Sequence, residues 1–165
     1  MSTTKKLGAS LLVMGIILKL FLSASVCWGF SPVKLSKGQT LYVPVYSHVF
    51  FGDRARTYLL TINLNIRNTD LNQPITVLSV DYHDTEGRLI KKFLQEPVKL
   101  PALASTWYVV KESDTSGGSG AKFIVRWKSE TPVTQPIIEG VMISTKSQQG
   151  ISFSFRGEVI EEDLR

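Results

Sequence analysis

The most regular pattern in the chain lies between Tyr58 and Asn68. Tyr58, Leu60, Ile62, Leu64 and Ile66 point one way, and Thr61, Asn63, Asn65 and Arg67 point the other. Helical spacing would scatter that apolar set around an axis, so the segment is predicted to be a β-strand with one buried face. The same two-residue period recurs. Gln39 to Tyr46 places Leu41, Val43 and Val45 on one side, although Pro44 marks it as an edge strand. Ile75 to Tyr82 and Leu89 to Leu94 read as hairpin partners across Asp84-Thr85-Glu86-Gly87, which carries the Asp-first, Gly-fourth signature of a type I turn. Thr106 to Lys111, Lys122 to Lys128, Ile137 to Ser144 and Ile151 to Ile160 complete the set.

Turn-forming residues separate these runs: Asn68 to Pro74, Pro97 and Pro101 around a short edge segment, Ser116 to Gly120, Pro132 with Pro136, and Gln148-Gln149-Gly150. No stretch has helical periodicity and no internal repeat is visible. About eight short strands at close spacing predict an all-β fold. The expected architecture is an immunoglobulin-like antiparallel β-sandwich of about 7–9 strands, with a small open barrel as the alternative. Trp107 and Trp127 are the expected core plugs between the sheets.

The first thirty residues follow another rule. Lys5 and Lys6 precede the apolar run Leu7 to Leu18, Lys19 interrupts it, and Leu20 to Gly29 continues with Ser23, Ala24 and Ser25. A positive start, a short apolar stretch and a small-residue exit describe a secretory signal over residues 1–29, cut after Ala24, Ser25 or Gly29. The competing reading is a retained hydrophobic targeting helix, which would put Lys19 near the bilayer centre at about 2.5–3.5 kcal/mol. Cys27 is a poor lipidation site, since Val26 precedes it and Ala24 stands three positions before. Residues 30–38 read as a linker, 39–160 as the β domain, and 161–165 as a charged, frayed tail. The expected location is periplasmic or otherwise exported, with membrane contact only through an uncut leader.

Charge supports this division. The formal net charge is +5, but Lys5, Lys6 and Lys19 belong to the leader, and without them 16 basic residues face 14 acidic ones. That near-balance gives no electrostatic footprint for nucleic acid. The domain has no cysteine, so its stability must come from its core rather than from disulfides. A chain of 165 residues is long enough to bury one.

Several tracts together resemble an exported bacterial family known as domain of unknown function 3124. They are Tyr42-Val43-Pro44-Val45-Tyr46-Ser47-His48, Arg67-Asn68-Thr69-Asp70, Val80 to Gly87, Gly117 to Trp127 and Gln149-Gly150-Ile151-Ser152-Phe153. The resemblance runs from about Gly38 to Ile160, with Lys122 and Phe155 as departures. It implies an envelope-associated β domain and supplies no catalytic residues.

Candidate chemistry is sparse. Asp81 and His83 share a strand face, Asp84 follows, and His48 is the other imidazole in the chain. A metal-dependent hydrolase could use Asp81, His83 and His48, but zinc usually takes three or four protein ligands. The bland alternative is a strand end whose polar groups satisfy a turn. Gly118-Ser119-Gly120 lacks the context of a nucleophile elbow or phosphate cradle, and its glycines are read as supplying positive φ in a hairpin-like connection. Glu112, Glu139 and Glu158 cannot be set opposite one another as a glycosidase requires. No catalytic set, metal or cofactor is expected.

The most suggestive segment is the connection Ser47 to Arg56, which crowds His48, Phe50 and Phe51 beside Arg54 and Arg56. Aromatics on a connection either fold back on the core or meet a partner. The ligand or partner patch is therefore placed at His48, Phe50, Phe51, Arg54, Arg56, Asp81, His83 and Asp84. The leading function is a non-enzymatic binding or structural module of the cell envelope, contacting an envelope protein or glycan. The alternative is a sensor or carrier of a small ligand such as an anionic saccharide.

Overall fold

The computed structural model describes residues 33–145 and 150–163. Contacts divide the chain into two units, Met1–Pro32 and Val33–Arg165. The segment read as a secretory signal, with Lys5, Lys6, Lys19 and Cys27, lies outside the described residues, as does most of the connection before Gly150.

The described residues are all-β. Twelve strands follow in order: β1 (Leu35–Pro44), β2 (His48–Phe51), β3 (Arg56–Leu59), β4 (Thr61–Arg67), β5 (Ile75–His83), β6 (Leu89–Lys92), β7 (Val98–Leu100), β8 (Ser105–Val110), β9 (Lys122–Thr134), β10 (Ile137–Ser144), β11 (Ile151–Arg156) and β12 (Glu158–Glu162). One sheet has the order β12-β1-β9-β5-β6, with β7 also paired to β5; the second has β11-β10-β4-β8. Each pairing is antiparallel. β2 and β3 form a separate two-stranded ribbon.

The apolar faces meet in one core, as alternation demands. The first sheet contributes Leu41 and Val43 from β1, Val77, Val80 and Tyr82 from β5, and Phe123, Val125 and Trp127 from β9. The second contributes Ile62, Leu64 and Ile66 from β4, Val110 from β8, and Ile138 and Met142 from β10. Trp127 is 1% exposed and is the largest fully buried side chain.

Several boundaries and orientations differ from the expectation. β1 begins at Leu35, inside the segment read as a linker. Ser36 orders that start: its hydroxyl accepts from the Gly38 amide. β1 is also internal rather than an edge. It lies between β12 and β9, and Pro44 is tolerated because pairing with β12 stops at Tyr42. The long alternation after Tyr58 is split, with β3 ending at Leu59 and β4 starting at Thr61, while Leu60, Ile62, Leu64 and Ile66 are all fully buried.

β9 runs through Pro132 to Thr134 because its pairing with β1 shifts between Ser36 and Gly38 and loops out the intervening residues. The run Ile151 to Ile160 breaks at Gly157, which lets the chain pass from the second sheet to the first. The Gly157 amide donates to the Ile138 carbonyl at 2.8 Å. The segment read as a frayed tail joins the first sheet through β12: Gln39 Nε2 donates to the Glu162 carboxylate at 2.8 Å, and Thr40 Oγ1 to that of Glu161 at 3.1 Å.

Trp107 is not a core plug. It is 68% exposed, on the solvent side of β8, while Tyr108 and Val110 take the inward positions. Both parities of β8 carry large apolar residues, so the opposite choice leaves Trp107 and Val109 outside.

Candidate functional site

Three connections gather at one end of the domain. The first is the ribbon β2–β3. The segment expected as a loop instead pairs His48 with Leu59, Val49 with Tyr58, Phe50 with Thr57 and Phe51 with Arg56. The turn is Gly52-Asp53-Arg54-Ala55, closed by the Ala55 amide donating to the Gly52 carbonyl at 3.0 Å. Gly52 has φ of 66° and Ala55 of 47°, the left-handed values a tight hairpin turn needs.

Alternation puts Phe50 and Phe51 on opposite faces of this ribbon. Phe50 is 56% exposed and Phe51 48%. Neither ring folds back on the core. Phe50 leans edge-on against His48 at 5.2 Å between centroids, and Phe51 against Tyr58 at 5.9 Å. Arg54 and Arg56 are exposed beside them.

The second connection is the glycine loop before β9. Ser47, fully buried, is its anchor: the Ser47 amide and hydroxyl both donate to the Gly118 carbonyl at 3.1 Å. The Ser47 carbonyl accepts from the Leu60 amide at 2.9 Å, and its hydroxyl lies 3.2 Å from His48 Nδ1. Gly118 has φ of 76°, the positive value expected of this loop. Gly117 is required for another reason: a Cβ there would lie 1.9 Å from the Tyr82 hydroxyl oxygen. That hydroxyl is buried without a hydrogen-bond partner among the described residues. Burial, with Asp114 nearby, pushes its pKa well above the ordinary tyrosine value.

The third is the β5–β6 turn. The Gly87 amide donates to the Asp84 carbonyl at 3.0 Å, and Gly87 has φ of 84°. Register shifts between Tyr82 and His83, as in a glycine-containing bulge. Asp84 is buried and accepts from the Arg88 amide at 2.8 Å and from Arg88 Nε at 2.7 Å. Burial alone would raise the Asp84 pKa, but the Arg88 hydrogen bonds and charge outweigh it and hold the carboxyl below its ordinary value. Thr85 ties this turn to the glycine loop, its amide and hydroxyl donating to the Gly117 carbonyl at 3.0 and 3.1 Å. Lys122, at the start of β9, donates to the Asp84 and Thr85 carbonyls.

The expected patch therefore falls into two parts. His48, Phe50, Phe51, Arg54 and Arg56 sit together on the ribbon. Asp84 is committed to Arg88, and His83 Nδ1 lies 3.0 Å from the Gly87 carbonyl within its own turn. Asp81 stands on β5 opposite Ile124 and Lys92. No group of three or more His, Cys, Asp or Glu among the described residues is arranged to hold a metal ion. The hydrolase arrangement of Asp81, His83 and His48 has no such cluster to rest on.

A feature the sequence reading missed lies along β12, β1 and β9. A polar groove of about 560 Å³ is lined by Gln39, Thr40, Arg126, Trp127, Glu161 and Glu162, among others. Its glutamates are occupied by Gln39 and Thr40. No local pattern announces it, because cross-strand pairing brings residues from positions 39 and 162 together. No helix among the described residues is long and apolar enough to cross a membrane.

No curated protein matches this chain. Among solved structures, it is similar to the crystal structure of Thermotoga maritima 1070, with 9% sequence identity over 76% of this chain and 97% of that one, at a TM-score of 0.46. The family model described as protein of unknown function (DUF3124) matches residues 38–160, and with three-quarters of its length inside that match the chain belongs to this family.

Proposed function

We propose that the protein is an exported, non-enzymatic binding module of the cell envelope, and that the ribbon β2–β3 is its contact element. The observation that carries this reading is the exposure of Phe50 and Phe51 on opposite faces of one short ribbon. Each ring keeps about half its surface in water, and covering that half is worth on the order of 1 kcal/mol per ring, which a partner surface recovers. Arg54 and Arg56 beside the rings favour a partner offering carboxylates or other anionic groups. The base of the ribbon is fixed through Ser47, so the rings are presented on a rigid mount.

The leader pattern supports export to the periplasm, whether it is cut or kept as an anchor. The two antiparallel sheets around one core support a sandwich of immunoglobulin-like type, a scaffold that commonly carries binding surfaces on its end connections. Capture of envelope proteins and glycans on the purified protein tests the assignment. Phe50→Ala with Phe51→Ala should abolish capture while leaving the melting temperature nearly unchanged. Capture that survives the double substitution overturns it.

A further inference from the structure

We propose that the free edge of β8 pairs with the same edge of a second copy, joining two four-stranded sheets across a two-fold axis. β8 pairs only with β4 among the described residues, in an unbroken register from Ile62↔Val110 to Arg67↔Ser105. Its other side therefore presents a regular row of backbone donors and acceptors, the template on which another strand adds.

Apart from the short β2–β3 ribbon, the other free edges belong to the two main sheets, and they are less suited to self-pairing. β12 carries Glu158, Glu161 and Glu162, and β6 carries Lys91 and Lys92. β7 has three residues between Pro97 and Pro101. β11 turns Ser152, Ser154 and Arg156 to one side and Ile151, Phe153 and the 40% exposed Phe155 to the other, so it ends on a charge. Two copies of β12 or β6 would set like charges against each other, and β7 is too short to template. β8, Ser-Thr-Trp-Tyr-Val-Val, has no charge, no proline and no bulge.

The strand is also complementary to itself. An antiparallel pairing centred on Tyr108 sets Trp107 of each copy opposite Val109 of the other. These two residues are 68% and 41% exposed, on the same solvent-facing side. An aromatic ring against a β-branched side chain is a favourable cross-strand pair, and the two-fold makes it twice. On the inner side the same register sets Thr106 against Val110. Isologous pairing of this kind closes after two copies, so it gives a dimer and not a fibre.

Sedimentation equilibrium of the purified protein should show a reversible monomer–dimer equilibrium. Val109→Asp places a carboxylate against the opposing indole and should weaken the dimer about 100-fold, while the dilute monomer keeps its β-type circular dichroism and cooperative unfolding. Register is read by cross-linking in a Cys27→Ser background. Ser105→Cys with Lys111→Cys should oxidise to a covalent dimer, because this register brings those solvent-side positions face to face. Within one copy they lie roughly 20 Å apart along the strand, far beyond the ~7 Å Cα limit for a disulfide. Ser105→Cys alone should not cross-link. A monomer at every concentration overturns the proposal, as does a dimer that survives Val109→Asp without cross-linking at 105 and 111. A monomer that instead takes up a synthetic alternating valine–threonine peptide also overturns it, and assigns the edge to a foreign strand.

Discussion

Two glycines at the same end of the domain serve opposite purposes. Gly52 turns the β2–β3 ribbon with a positive φ, and nothing lies within 4 Å of where its Cβ would be. Gly117 sits in the loop beneath and is packed so closely on Tyr82 that no Cβ fits. One glycine is there for its backbone and the other for its missing side chain. The contrast separates a tip shaped to be exposed from a base that is filled and hydrogen-bonded.

Substitutions should expose that difference, most strongly at the base. Gly117→Ala forces either Tyr82 or the loop to move and should destabilise the fold by about 3 kcal/mol, measured by denaturant unfolding. If it costs less than Gly52→Ala, the base is not the tightly packed element described. Gly52→Ala meets no neighbour, so its penalty is the left-handed backbone alone, about 1 kcal/mol. Phe50→Ala with Phe51→Ala removes two half-exposed rings whose aromatic contacts are edge-on to His48 and Tyr58, and should change stability by no more than about 1 kcal/mol. A larger loss would mean that these rings hold the ribbon together rather than meeting a partner.

The smallest effect is one of pH. Asp84 has its pKa lowered in the fold, despite its burial, by the hydrogen bonds and charge of Arg88. Backbone amides of Asn72, Gln73 and Thr134 lower that of Asp70. A carboxyl whose folded pKa lies below its unfolded value contributes stability at pH above the unfolded value, about 4, and loses it as pH falls through the folded one. Stability should therefore decline below about pH 4, and Asp84→Asn should flatten that slope. An unchanged acid limb in Asp84→Asn would show that the Arg88 pair contributes nothing to it.

What the sequence made legible follows from where polarity marks a face. On β9, Arg126 and Lys128 label the outer side, so Phe123, Val125 and Trp127 were readable as core, and they are buried. On β4, asparagines and Arg67 do the same for Leu64 and Ile66. On β8 neither side is polar enough to choose, and Trp107 came out on the wrong face. Pro44 suggested an edge because a local rule cannot see that β12 pairs with only part of β1. At the site, the crowding of His48, Phe50 and Phe51 was visible, but His-Val-Phe-Phe has no alternation to announce a strand, so the ribbon was read as a loop. The bonds that join Ser47 to Gly118 and Thr85 to Gly117 link residues 71 and 32 positions apart, and no local signal encodes them.

The place of β1 between β9 and β12 bears on the order in which the molecule is made. Both neighbours of this strand come from the last third of the described chain, with Gln39 reaching Glu162 across 123 positions. A polypeptide emerging from its amino end therefore carries an orphan strand until residues beyond 122 have appeared, and sequence-distant pairing of this kind slows folding. The first described strand is thus the last to gain both its neighbours, and the larger sheet cannot close until nearly all of the described chain is present.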